Sequence, residues 1–225
     1  MQAMLVVMAC TFAAPEVQAS PAAAAQALAG ELETGSLLFS DGKCLAVKLF
    51  SRSRYTHVAA VVCAPEGVFV YDSQNGVGVR KLPLATYLAK TEGDEIEIVE
   101  PDQPFSDARV KRFQAYLESQ LGRPYAIMHY LTGSRDEGLH CAEYLTDALI
   151  AVDLVTAKQP SRVSPASLRK SLLSHDLYDM SGTLLVLTPE PESDRGGNWC
   201  HELWLDTQDC CATCWSGFSG CVLCR

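Results

Sequence analysis

Cys141, His57 and Asp72 are the side chains of this 225-residue chain whose types and settings could do chemistry. A thiol becomes a nucleophile when its pKa is lowered, and a helix N-terminus beside a histidine supplies both a favourable dipole and an acid/base partner. Cys141 follows Glu137-Gly138-Leu139-His140 and sits one or two residues into a helix predicted from about Leu139 to Val152. The unpaired N–H groups of that first turn would face an oxyanion on an attacked carbonyl. Taken alone, a helical cysteine is more often core filling. His57 opens a run that is otherwise apolar, an odd place for an imidazole unless it borders a cleft or bonds an orienting group. An even-numbered loop closing the hairpin between Ala64 and Gly67 would put Asp72 on the same face as His57, as a near or diagonal cross-strand neighbour. An odd loop would present Ser73 instead, and Asp72 could also simply begin the turn Ser73-Gln74-Asn75.

The elements that must position these residues follow from the pattern around them. His57 to Cys63 is apolar on both alternating faces, which predicts a central strand covered on both sides. Pro65-Glu66-Gly67 is turn chemistry, and Val68 to Asp72 returns as its partner. Gly35 to Phe39, Leu45 to Phe50, Gly76 to Arg80, Glu95 to Val99 and Gly182 to Leu187 are the other extended segments. Helices are predicted from Pro83 to Lys90, from Ser106 as N-cap to the stop at Gly122, and over Ala166 to Leu173 after Ser164-Pro165. The fold class is α+β, with an antiparallel sheet packed against helices.

Composition narrows the partners. A formal charge of −9 lacks the basic footprint that a nucleic-acid backbone requires, so no nucleic-acid partner is expected. Residues 4–14 are an apolar run followed by Val17-Gln18-Ala19, a small-residue cleavage pattern that favours a secreted or periplasmic protein, although no Lys or Arg precedes the run. Residues 20–30 are alanine-rich, read as a frayed helix or linker that buries little, so residues 1–30 form a leader and the folded domain spans 31–188. Pro189 to Gly197 is a linker, and residues 189–225 carry Cys200, Cys210, Cys211, Cys214, Cys221 and Cys224. These six suit disulfides in an exported protein, the two C-x2-C pairs suit zinc, and Trp215, Phe218, Val222 and Leu223 suit docking or peripheral membrane contact; an unstructured tail is the remaining reading.

Several of these segments together resemble the permuted papain-like amidases of the YaeF/YiiX type, within the broader NlpC/P60 superfamily. The likeness covers about residues 31–187. It rests on Gly35-Ser36-Leu37-Leu38-Phe39, Thr56-His57-Val58-Ala59-Ala60-Val61-Val62, Val70-Tyr71-Asp72, Leu121-Gly122-Arg123-Pro124-Tyr125 and His140-Cys141-Ala142-Glu143-Tyr144-Leu145. It implies a circularly permuted papain-like fold in which the histidine strand precedes the cysteine helix. The implied roles are Cys141 as nucleophile, His57 as base, Asp72 as polar third member and Tyr125 lining the site near the oxyanion. Ala126, Ala142 and Asp72 stand where the family commonly has an acidic residue, serine and glutamate.

The resulting expectation is a thiol hydrolase that cleaves an amide or ester in a small-molecule, lipid, peptide or cell-wall substrate, with no cofactor and no metal in the site. A different class, a silent domain that binds an acyl or peptidyl ligand and uses the tail for interaction or metal binding, is the alternative. His140 is expected to be peripheral, His129 and Tyr130 to line the cleft, and His175 to lie at the surface. Glu143 is read as favouring its helix through the dipole rather than pairing with a base.

Overall fold

A computed structural model describes residues 21–41, 53–91 and 95–185. The expected extended segment at 45–50, residues 1–20 of the expected leader and the cysteine-rich tail lie outside the described residues. The apolar run after His57 becomes strand β2, His57–Ala64, and its interior placement explains why both of its faces are apolar. The other strands are β1 Leu37–Ser40, β3 Gly67–Gln74, β4 Gly78–Pro83, β5 Glu95–Pro101 and β6 Tyr178–Leu185. They form a six-stranded antiparallel sheet in the order β4-β3-β2-β1-β5-β6.

Helices cover both faces. α1 is Pro21–Leu28, α2 Leu84–Lys90, α3 Asp107–Ser119, α4 Met128–Thr132, α5 Cys141–Ala151 and α6 Pro165–Ser174. On one face Val58, Ala60, Val62 and Tyr71 pack with Tyr144, Leu145, Ala148 and Leu149 of α5. On the other, Ala59, Val61 and Val70 pack with Leu84, Tyr87 and Leu88 of α2 and Ala24 and Ala25 of α1. Burying each Val or Leu of these layers contributes about 1.5–3 kcal/mol relative to exposure, so the two helical layers fix the sheet between them. The alanine-rich stretch therefore buries more than its composition suggested: small side chains let α1 approach α2 closely.

The hairpin loop holds two residues, Pro65-Glu66, because Ala64 pairs with Gly67. That even loop selects between the alternatives left open by sequence. Ala60 pairs with Tyr71, so Asp72 falls opposite Ala59, on the face of His57 and diagonal to it. Ser106 caps α3 by accepting from the Arg109 N–H, and Ser164 forms a capping box with Ser167 at α6. Pro83 is the N-cap of α2 rather than its first residue, β4 begins two residues after Gly76, and β6 begins four residues before Gly182. α4, only five residues long, had no periodicity to announce it. No helix among the described residues is long and apolar enough to cross a membrane.

Candidate active site

His57 is the first residue of β2 and Cys141 the first residue of α5, so both stand where the sheet ends and the helix begins. The Cys141 thiol is 2% exposed, and its Sγ lies 4.0 Å from the carbonyl oxygen of Thr56, the neighbour of His57. The His57 Nε2–H donates to Asp72 Oδ2 at 3.0 Å, which leaves Nδ1 for the thiol. Burial pushes the His57 ring down, but hydrogen bonds to Asp72 and Cys141 outweigh it and raise its pKa to about 10. Burial likewise pushes Cys141 up, and the imidazoles of His140 and His57 outweigh this, bringing the thiol down to about 6. Between these values the pair is a thiolate beside an imidazolium.

Asp72 is anchored from a second direction. Arg80 stands directly across from it on β4 and donates from Nε to Oδ1 at 2.7 Å and from a terminal nitrogen to Oδ2 at 3.1 Å. Gln74 in turn accepts from Arg80. A planar fork fixes the plane of the carboxylate and holds Oδ2 toward His57. Burial raises the Asp72 pKa, yet His57 and Arg80 together keep it below the ordinary carboxylate value. Sequence reading missed Arg80; the register of the hairpin turning at Asn75-Gly76 would have found it.

The backbone leading into Cys141 is held at every step. His140 is the N-cap of α5: its Nδ1 accepts from the Glu143 N–H, and its Nε2–H donates to the Ser161 carbonyl at 2.8 Å. It is buried, not peripheral, because the cap turns its ring inward against Tyr130. Leu139 donates its N–H to the Pro124 carbonyl at 2.9 Å, and its own carbonyl accepts from the Ser73 hydroxyl at 2.6 Å. Arg123 donates to the carbonyls of Asp136, Glu137 and Gly138. Two glycines allow these close approaches: a Cβ at Gly78 would meet the Arg123 carbonyl oxygen at 2.3 Å, and one at Gly138 would meet Ala126 Cβ at 2.4 Å. The backbone N–H groups of Cys141 and Ala142 have no partner among the described residues, as the first turn of a helix dictates.

Glu143 pairs with a base after all. Its side chain is 0% exposed. The His129 Nδ1 lies 2.9 Å from Oε2 and the Arg135 Nε 2.8 Å from Oε1. The His129 Nε2 lies 2.7 Å from Asp136 Oδ1. His129 is thus buried in a polar network behind the helix that Cys141 opens rather than exposed along a cleft. Tyr125 is half-buried and follows Pro124, whose carbonyl accepts from the Leu139 N–H two residues before Cys141. Among the described residues no group of three or more His, Cys, Asp or Glu side chains could hold a metal ion.

A helix-borne thiol meeting an imidazole from a strand that precedes it in the chain, on an antiparallel sheet flanked by helices, is the papain-like arrangement in permuted order. The sequence pattern of the permuted papain-like amidases, the YaeF/YiiX or C92 family, matches residues 31–183, and the chain belongs to that family. The family is one of amidases, hydrolases in general terms. A crystal structure described as the metalloprotein YiiX from Escherichia coli O157:H7 is similar, with a TM-score of 0.48 and 16% identity over 72% of this chain and 93% of that one. No curated protein matches the sequence.

Proposed function

We propose that the protein is a thiol hydrolase that cleaves an amide or ester bond in a lipid, peptide or cell-wall substrate through an acyl-enzyme at Cys141. The observation that carries this reading is the alignment of Cys141, His57 and Asp72 with a thiol pKa brought down to about 6. The Cys141 thiolate attacks the carbonyl carbon, a sulfur–carbon bond forms, and the negative charge moves to the carbonyl oxygen. The N–H groups of Cys141 and Ala142 in the first turn of α5 are the donors we assign to receive it, and the resemblance assigns Tyr125 to the same role. Collapse of the tetrahedral species breaks the bond to the leaving group, which takes the proton from His57. His57 then accepts a proton from water, the resulting hydroxide attacks the thioester, and the acid leaves as the thiol returns. Asp72 holds the ring's tautomer and its charge throughout.

Labelling with an acyl-type activity probe tests the reading. Wild type should be labelled, and Cys141→Ala and His57→Ala should not. Equal labelling of all three would reject the hydrolase and leave a domain that only binds an acyl or peptidyl ligand.

A further inference from the structure

Adjacent residues of β3 point to opposite faces of the sheet. Asp72 faces His57 and Ser73 faces the start of α5, where its hydroxyl donates to the Leu139 carbonyl at 2.6 Å, two residues before Cys141. Ser73 is 0% exposed, so this hydroxyl has no water to exchange with, and the carbonyl it holds is equally cut off. Both polar groups of the Leu139 backbone are therefore committed, the carbonyl to Ser73 of β3 and the N–H to Pro124.

We propose that Ser73 is a positioning residue for the nucleophile: it sets the orientation of the Cys141 and Ala142 N–H groups toward the attacked carbonyl oxygen, while Asp72 sets the base. This rests on the hydrolase reading above and assigns the two consecutive residues of one strand to the two halves of the site. The division makes the effects separable. Losing the Ser73 hydroxyl leaves His57, Asp72 and Arg80 untouched, and the His140 ring keeps its own bonds to the Ser161 carbonyl and the Glu143 N–H, so the thiolate still forms at the same pH. What suffers is the step that needs an oxyanion held in place.

Two reagents distinguish these steps. Iodoacetamide alkylates a thiolate by displacing iodide, with no oxyanion. p-Nitrophenyl acetate acylates it: the sulfur–carbon bond forms through an oxyanion, the ester carbon–oxygen bond breaks, and p-nitrophenolate leaves. For Ser73→Ala the alkylation rate and its pH inflection should match wild type, while the acylation rate falls about tenfold or more, since losing an oxyanion donor outright costs about 10²–10³. Ser73→Thr, which keeps the hydroxyl, should recover acylation. Ser36→Ala removes another fully buried serine hydroxyl, one that accepts from the Glu33 N–H, and should leave the ratio of the two rates unchanged. An unchanged ratio in Ser73→Ala, or an equal fall in Ser36→Ala, overturns the assignment. Wild-type protein that neither reagent modifies at Cys141 would instead refute the hydrolase reading itself.

Discussion

Cys141 and His57 share a proton inside a site where neither is well solvated, so the charge each carries depends on the other. An isolated buried thiol would stay protonated, and an isolated buried imidazole would stay neutral. Together they favour the ion pair, because each charge stabilises the other, Asp72 adds a second negative group behind the ring and His140 also lowers the thiol. Alkylation of Cys141 by iodoacetamide should therefore show its pH inflection near 6 rather than in the ordinary thiol range. In His57→Ala that inflection should move up toward the ordinary range while His140 still exerts some pull. The inflection is the quantity to read, since the nucleophilicity of a thiolate itself falls as its pKa falls. Asp72→Asn keeps the shape but removes the negative partner and leaves the Arg80 fork without its carboxylate. Hydrolysis of an activated ester should drop about a hundredfold or more in that variant, with folding checked by circular dichroism.

At the scale of elements, the decisive unit is the α5 helix and the segment that enters it. Glu143 lies on the first turn of α5 and ties that turn to His129 of α4 and to Arg135 in the intervening loop. Removing it would leave a buried imidazole facing a void and free the loop, so Glu143→Ala should destabilise by about 2–4 kcal/mol, read from the urea midpoint. Gly78 tests the packing on the other side. Its φ is 89°, and a Cβ there would stand 2.3 Å from the Arg123 carbonyl oxygen, so Gly78→Ala should destabilise by about 1–3 kcal/mol. The sequence showed the parts whose physics is local. The doubly apolar β2, the serine caps of α3 and α6, and the site of Cys141 at a helix start all follow from spacing and residue type. It could not show Arg80 on Asp72, Ser73 on Leu139 or Glu143 on His129, because each depends on register or on segments 8 to 66 residues apart meeting in space. A histidine N-cap was missed for a different reason: the usual capping residues are short oxygen acceptors, and here a ring nitrogen does the same work.

For the whole molecule, the titrating groups predict how stability varies with pH. His57 has a folded pKa raised to about 10, so its contribution is fully present below its unfolded value near 6.5 and is lost as pH rises through about 10. Cys141 has a folded pKa lowered to about 6, so its contribution is present above its unfolded value near 9.0 and is lost as pH falls through about 6. These describe one shared ion pair and count once. Asp72 and Asp136 are both held below the ordinary carboxylate value, Asp72 by His57 and Arg80 against its burial, Asp136 chiefly by the Gly138 N–H. Their contribution is lost below about pH 4, on top of the thiolate's. Asp147 runs the other way, since burial raises it more than Arg135 lowers it, and it softens the acid limb slightly. Melting temperature should thus be highest between about pH 7 and 9, fall through pH 6, fall again below pH 4, and fall on the alkaline side through pH 10. His57→Ala should erase the alkaline fall that the ion pair causes and shrink the step near pH 6, while leaving the fall below pH 4 in place. A variant that kept all three limbs would show that the pair does not couple to folding, and the site would then be held by its hydrogen bonds and packing alone.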